Sequence, residues 1–224
     1  HPFFVCATAG TTVRGGYDSI PELLMLRSKY HFWLHVDGAW GGAVIFHEKL
    51  REQFLNGIEA VDSFTWDFHK MPGTALICNI LLFNNNAGIL SNTCGVGDTS
   101  YLFHEADNQT SDNLGLFSMQ CGRHVDSLKW FLDWKFYGHE GFSQRVGFYW
   151  ELCEYAEKKI NNSMDLEMIV PRDSFNVCFR FITPKGIDAD RFNQGLRKEL
   201  YQKQLSLIGS GTINQQFTLR LLFT

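Results

Sequence analysis

The sequence lacks the short motifs that identify several common classes of enzyme and binding protein. It contains no HExxH zinc-protease motif, no GxGxxG dinucleotide loop and no CxxC pair. Its longest nearly apolar run, TALICNILLF at 74–83, is about half as long as a membrane span requires. Charges form no long runs of one sign and sum to −4, which argues against charge-driven binding to nucleic acids or anionic membranes.

The cysteines and the first residues bear on the compartment and on the extent of the chain. The six cysteines are scattered, which favours reduced thiols in the cytoplasm over a disulfide framework. The chain opens HPFFVCATAG, without Met and without the basic segment of a signal peptide, and a strand pattern begins by Phe3. We therefore expect a cytoplasmic protein, and we expect this sequence to be the C-terminal part of a longer chain.

Strand and helix patterns alternate along the first 83 residues and predict an α/β layer with a largely parallel sheet. One helix begins near Ser19 and Pro21, and another covers 47–55. The predicted strands are 3–8, 32–36, 62–66 and 76–83. Ligands of such sheets bind beyond the carboxyl ends of the strands, so residues just after 36 and 66 are candidates for a site.

The middle of the chain combines a polar stretch with two helical patterns. Residues 84–120 are rich in Asn, Gly, Ser and Asp, as in an active-site lid or a disordered segment. Helices are predicted at 121–138 and 141–160, and Gly138 suits the end of the first. The apolar side chains of this first helix share one face: Val125, Leu128, Phe131, Leu132 and Phe136.

The predicted domain boundary follows Gly138, and either Gly138 or Gly141 could act as a hinge there. Residues 1–138 then belong to a large domain, and 139–224 form a small α+β domain. The elements predicted in the small domain are strands at 166–170, 176–182 and 216–223 and a helix at 188–203.

Asp37 and Lys70 each follow a short apolar run, in WLHVDGAWGG and DSFTWDFHK, 33 positions apart (70 − 37). If the two strands are neighbours, both side chains meet at one edge of the sheet. A lysine amine forms a Schiff base with the aldehyde of pyridoxal 5'-phosphate, and a carboxylate keeps the pyridine nitrogen protonated. The pair therefore predicts a pyridoxal-phosphate site. A zinc site built from the nearby histidines is disfavoured, because no close ligand spacing exists.

The motifs together resemble the group II pyridoxal-phosphate decarboxylases, which act on glutamate, cysteine sulfinate, aspartate, diaminobutyrate and aromatic amino acids. The segments that carry the resemblance are ATAGTT (7–12), WLHVDGAWGG (33–42), GIEAVDSFTWDFHK (57–70), SYLF (100–103) and QCGRHVDSLK (120–129). The resemblance implies the aminotransferase-like fold (fold type I), an α/β fold in which part of a large mixed-sheet domain precedes a small α+β domain. It also implies a homodimer with active sites at the subunit interface and a missing N-terminal half.

The resemblance assigns roles to seven residues. Lys70 would carry the cofactor as a Schiff base, Asp37 would hold the pyridine nitrogen, and Arg220 would bind the substrate carboxylate through its guanidinium fork. The further cofactor contacts are Ala39 against the ring, Thr12 near the phenolic oxygen or the lysine, and His69 and Asp67 near the phosphate. Purely structural roles remain the alternatives for Arg220, Thr12 and His69.

Two features depart from the family pattern. Asp67 stands where many members have Asn, and a carboxylate there repels a phosphate unless it is turned away. The DFHK variant resembles the diaminobutyrate branch. The lid stretch 104–115 contains no tyrosine that could return a proton to the substrate carbon. The proton donor is therefore unassigned, with His104 as a candidate because histidine titrates near neutrality.

The hypothesis that follows is α-decarboxylation of an acidic amino acid, such as cysteine sulfinate, glutamate or aspartate, because QCGRHVD and SYLF resemble that branch. L-2,4-diaminobutyrate decarboxylation is the rival within the family. A lid without tyrosine also resembles members that couple decarboxylation to oxidative deamination. The alternative from another class is a non-catalytic fragment or pseudoenzyme subunit.

Overall fold

The computed structural model describes residues 1–84, 88–94, 118, 120 and 122–224. Its first sheet contains four strands: β1 (Phe4–Thr8), β2 (Trp33–Asp37), β3 (Ser63–Asp67) and β4 (Asn79–Phe83). They lie side by side in the order β1-β2-β3-β4. The first three are parallel, and β4 runs antiparallel to β3. A short connection without a helix joins β3 to β4, which suits an antiparallel pair. The predicted strand at 76–83 begins only at Asn79.

Helices connect the parallel strands, as the alternating pattern predicted. Helix α1 (Ile20–Tyr30) has a proline in its first turn and Arg27 and Lys29 in its last turn, an arrangement that suits the helix dipole. A 3-10 helix (Gly41–Phe46), helix α2 (Glu48–Phe54) and a 3-10 turn (Ile58–Ala60) lie between β2 and β3. Neither 3-10 segment was predicted from the sequence, and the glycines at the start of the first one carry no helical periodicity.

The two central strands of the first sheet, β2 and β3, alternate between a buried face and a largely half-buried face. Leu34 and Val36 of β2 are fully buried, and Phe64 and Trp66 of β3 are nearly so. The residues between them, including His35 and Asp37, are half-buried on the opposite face. The period of two therefore directs Asp37 away from the apolar core.

A long helix, α4 (Asp126–Asn161), follows the short helix α3 (Ile89–Cys94) in the described part of the chain. It is broken at Gly138, where φ is 60° and ψ is −176°. Two helices had been predicted here, and the observed break coincides with the predicted end of the first. Whether Gly138 also marks a domain boundary stays a prediction. The lid stretch 104–115 lies outside the described residues.

The second sheet is antiparallel and has the order β5-β6-β8-β7. Its strands are β5 (Leu166–Met168), β6 (Val177–Phe181), β7 (Gly209–Ile213) and β8 (Gln216–Leu221), and helix α5 (Ala189–Gln202) precedes β7. Strand β7 was not predicted, because the glycines of GSGTI give this segment a low strand propensity. One apolar cluster includes buried residues of both sheets. No helix among the described residues is long and apolar enough to span a bilayer.

Candidate functional site

The carboxyl ends of three parallel strands form one edge of the first sheet. Thr8 of β1 pairs with Asp37 of β2, and Asp37 pairs with Thr65 of β3. Strand β3 continues for two more residues, to Asp67. The register therefore brings the ends of β2 and β3 to the same edge, which is where ligands of parallel sheets bind.

The Asp37 carboxylate is held by the turn that follows its strand. One oxygen, Oδ1, accepts a hydrogen bond from the backbone N–H of Ala39 at 3.0 Å. The other oxygen accepts no hydrogen bond from any residue that the structure describes. Next to it on the same face, burial lowers the pKa of His35, and the negative charge of Asp37 partly opposes that shift. Asp37 thus presents one carboxylate oxygen that remains available to a donor.

Lys70 lies in the turn just after β3 and forms an ion pair with Asp67, which had been predicted to lie near the cofactor phosphate. Its Nζ is 2.9 Å from Oδ2 of Asp67, and the lysine side chain is 40% exposed. Its backbone N–H also donates to the Asp67 carbonyl, at 3.2 Å. The Asp67 carboxylate therefore points to the lysine. Its expected place near a phosphate stays a prediction.

His69 is oriented by the backbone of Cys78. Its Nδ1 lies 2.7 Å from the Cys78 carbonyl oxygen and 3.1 Å from the Cys78 nitrogen, and the tautomer decides which contact is a hydrogen bond. Its Nε2 lies 4.0 Å from Oδ2 of Asp67. These contacts give His69 a fixed structural position, which is compatible with its predicted cofactor role but does not test it.

Two basic residues of α4, Arg145 and Lys129, hold the loop that follows Lys70. Neither contact was predicted from the sequence. Arg145 donates to the Pro72 carbonyl while its guanidinium carbon lies 4.4 Å from the centre of the Tyr137 ring. Lys129 donates to the Leu76 and Ile77 carbonyls, each at 3.0 Å. Basic residues on an amphipathic helix give no sequence signal for such contacts, because solvent-exposed cations have the same pattern.

Thr12 and Arg220 are in direct contact, although 208 positions separate them. Arg220 donates from Nη1 to the Thr12 carbonyl, and Asn176 donates to the same carbonyl at 3.0 Å. The Nε atom of Arg220 is buried and has no hydrogen-bond partner within the described chain. The loop that carries Thr12 leaves the sheet beside Asp37, because the Ala9 N–H donates to the Asp37 carbonyl at 2.8 Å.

The structure thus forms two groups from the seven predicted site residues. Asp37 and Asp67 are the last residues of β2 and β3, and Ala39, His69 and Lys70 lie in the turns that follow. Thr12 and Arg220 meet where the loop after β1 contacts the second sheet. A cleft of about 740 Å³ lies between that loop, the start of α1 and the end of α2. None of the seven residues lines it; the predicted acid and amine groups lie at the edge of the first sheet instead.

Comparison with known proteins points to one family. Residues 1–182 match the family described as the pyridoxal-dependent decarboxylase conserved domain. The chain is 37% identical over 187 residues to the L-aspartate decarboxylase dtxS4 of Metarhizium robertsii, covering 83% of this chain and 36% of that protein. It is 34% identical over 226 residues to the glutamate decarboxylase of Drosophila melanogaster, covering 97% of this chain and 42% of that protein.

Solved structures of similar proteins share the fold. Mouse CSAD superimposes with a TM-score of 0.86 at 29% identity, covering 99% of this chain and 48% of that one. Oryza sativa TDC with PLP and tryptamine also gives a TM-score of 0.86, at 25% identity, covering 98% of this chain and 46% of that one. The chain therefore spans less than half the length of the relatives that it matches.

Proposed function

Because the chain belongs to the pyridoxal-dependent decarboxylase family, we propose that it is the part of an amino-acid α-decarboxylase that attaches pyridoxal phosphate and binds the substrate carboxylate. The observation that carries the proposal is the strand register. It ends β2 at Asp37 and β3 at Asp67, three residues before Lys70, on the same edge of a parallel sheet. A carboxylate and a primary amine at that edge are the two groups that the cofactor requires.

The residues present fit pyridoxal phosphate. Asp37 keeps one carboxylate oxygen free of hydrogen bonds from the described residues, which suits a protonated pyridine nitrogen. Ala39, whose N–H orients Asp37, has the small side chain that a flat ring beside that carboxylate would require. The Lys70 amine lies at the end of its strand and is accessible. In this structure the carboxylate of Asp67 is engaged with the Lys70 amine.

Each residue would have a distinct role with the cofactor. Lys70 would hold it covalently, Asp37 would keep a proton on its ring nitrogen, and Ala39 would pack against the ring. We further propose contacts of Thr12 with the phenolic oxygen, and of His69 and Asp67 with the phosphate. When bound, pyridoxal phosphate supplies a sink for the electron pair that remains when carbon dioxide leaves. The residue that returns a proton to the carbon is not assigned.

The substrate proposed is an acidic amino acid. The named relatives are an aspartate decarboxylase and a glutamate decarboxylase. Arg220 supports binding of the carboxylate that all the candidate amino acids share, because its buried Nε has no partner within the described chain while Nη1 fixes the side chain against Thr12. An unpaired buried donor is costly and is satisfied by an anionic oxygen. L-2,4-Diaminobutyrate remains the rival substrate because of the DFHK motif.

The first test is the visible absorption of the bound cofactor in the full-length protein. We expect Lys70→Ala to abolish that absorption and to lower kcat by at least about 1,000-fold, since covalent attachment is lost. Lys49→Ala, an exposed lysine of α2, is the matched control and should keep both. Retention of absorption and activity in Lys70→Ala would reject the proposal.

Product analysis separates the candidate reactions. Aspartate, glutamate, cysteine sulfinate and 2,4-diaminobutyrate are supplied one at a time, and amine and carbon dioxide are measured. An amine from an acidic substrate supports the proposal, and one from diaminobutyrate alone selects the rival. Aldehyde with hydrogen peroxide indicates oxidative deamination. Absence of both product and cofactor absorption indicates a non-catalytic subunit.

Assembly, location and domain organisation belong to the same proposal. We propose a cytoplasmic homodimer in which residues 1–138 belong to the large domain and 139–224 form the small one. Sedimentation of the full-length protein would test the dimer, and limited proteolysis near Gly138 would test the boundary.

A further inference from the structure

The loop after β1 is held against the second sheet by a row of polar side chains, which we name the latch: Ser174, Asn176 and Cys178. They are alternate positions of the segment that runs into β6, and all three are buried. Ser174 Oγ donates to the Gly15 carbonyl at 2.6 Å, and Asn176 Nδ2 donates to the Thr12 and Val13 carbonyls at 3.0 and 2.9 Å. The Cys178 thiol points to the Val13 carbonyl at 3.3 Å.

The loop presents these carbonyls because its own hydrogen bonds turn them outward. The Thr11 N–H donates to the Gly16 carbonyl at 2.9 Å, and the Gly15 N–H donates to the Thr11 carbonyl at 2.8 Å. Gly15 has a φ of +75°, and a Cβ there would lie 2.4 Å from Ser174 Oγ and 3.0 Å from Asn176 Oδ1. Only glycine therefore permits so close an approach between the loop and the latch.

Asn176 and Arg220 share one acceptor, the Thr12 carbonyl. Arg220 stands on β8 directly opposite Cys178 of the latch, and Gly209 of β7 leaves space for its guanidinium, since a Cβ there would lie 3.3 Å from Nε. The guanidinium is thus fixed on one side by a carbonyl that Asn176 holds in place. Its unpaired Nε is left for another ligand.

We infer that Asn176 is a positioning residue, which sets the Arg220 guanidinium for a substrate carboxylate by immobilising the Thr12 carbonyl between them. The inference rests on the proposed function, because it deepens the role given there to Arg220. Asn176 does not itself reach the substrate. Without the Asn176 side chain the loop is no longer held, so the Thr12 carbonyl and the guanidinium bonded to it can shift together. This shift weakens binding of the substrate carboxylate more than it slows the chemical step.

A double-mutant cycle in the full-length protein tests this coupling. We expect Asn176→Ala to raise KM about tenfold and to change kcat by a smaller factor. A tenfold change in KM corresponds to the loss of one hydrogen bond that positions the guanidinium. In an Arg220→Met background the same substitution should leave KM nearly unchanged, because there is no guanidinium left to misplace. An equal factor in both backgrounds would show a general structural effect and overturn the inference.

The matched control is Asn193, a second buried asparagine, whose side chain bonds backbone groups of β6 and α5 within the described chain. Its Oδ1 accepts from Phe181 N–H at 2.8 Å, and its Nδ2 donates to the Phe181 and Ala189 carbonyls at 3.0 and 2.9 Å. Asn193→Ala should lower stability but leave KM unchanged. If Asn176→Ala does not fold, Ser174→Ala removes one bond of the latch and should raise KM in the same direction by a smaller factor.

Hydrogen exchange gives a readout that does not depend on activity. Amides of residues 12–16 should exchange at least about tenfold faster in Asn176→Ala than in the parent protein, and no faster in Asn193→Ala. Unchanged exchange in both would overturn the inference. Faster exchange in a protein that decarboxylates no amino acid would support the latch and reject the proposed function, so the two failures can be told apart.

Discussion

The two parts of α4, on either side of Gly138, have similar apolar periodicity but opposite burial. In the second part Phe142, Val146 and Cys153 are fully buried. In the first part the predicted apolar face is open: Leu128 is 51% exposed and Phe136 is 81% exposed. That part instead packs through Trp130, whose ring lies 3.8 Å from that of Phe68 at an interplanar angle of 3°. Periodicity thus identifies an apolar face, but it does not determine whether that face is buried.

The largest expected effect on stability comes from truncating a phenylalanine to alanine, once in each part of α4. Phe142→Ala should lower the free energy of unfolding by about 3–5 kcal/mol, because this ring is fully buried against Phe46 and Trp130. Phe136→Ala, on the open face, should change it by less than about 0.5 kcal/mol. Denaturant unfolding measures both values. Equal losses would mean that another surface covers the open face in solution.

The break itself provides the second test. Gly138 has a φ of 60° with ψ near 180°, and a Cβ there meets no atom within 4 Å. Gly138→Ala should therefore cost about 1–3 kcal/mol through backbone strain alone. Gly195→Ala, in the middle of α5 and equally free of neighbours, should stabilise the protein by about 0.5–1 kcal/mol. A neutral Gly138→Ala would show that the two parts can join as one straight helix.

The smallest effect concerns the buried thiol of the second part. Burial raises the pKa of the Cys153 thiol from its ordinary value to about 12. Its contribution to stability is complete below pH 9 and is lost as the pH rises toward 12, because the unfolded chain ionises first. Between pH 9 and 10 the parent protein should lose up to about 1.4 kcal/mol more than Cys153→Ala. Parallel pH dependences would contradict this.

The family and the α/β fold predicted from the motifs are confirmed. Local patterns were sufficient for β1, β2 and β3, because alternation and β-branched or aromatic residues mark half-buried strands. They also predicted the ends of those strands to within one residue, and the register brings Asp37 and Asp67 to the same edge of the sheet. That Asp37 and Lys70 share one site stays a prediction. The glycine-rich strand β7 was missed because its pairing with β8, and not its own propensity, holds it in place.

The contacts between distant segments were not predictable from one sequence. The Asp67–Lys70 ion pair is local, yet it was missed because Asp67 had been assigned to a phosphate. The hydrogen bonds of Arg145 and Asn176 to backbone carbonyls have no sequence signature, since a carbonyl is present at every position. Arg220 was predicted to bind a carboxylate. Its contact with the Thr12 carbonyl could be recognised only from the structure, in which β8 of the second sheet lies next to the loop after β1. The catalytic and cofactor roles of all seven residues stay predictions.

The contact between Thr12 and Arg220 has a consequence for the order of events during biosynthesis. Its two partners are 208 positions apart, a length that a ribosome translates in about 10–40 s. During that interval the remaining strands of the first sheet are synthesised, but the Thr12 carbonyl has no Arg220 guanidinium to contact. The nascent protein therefore acquires its candidate carboxylate-binding arginine only when β8 has emerged and paired with β6.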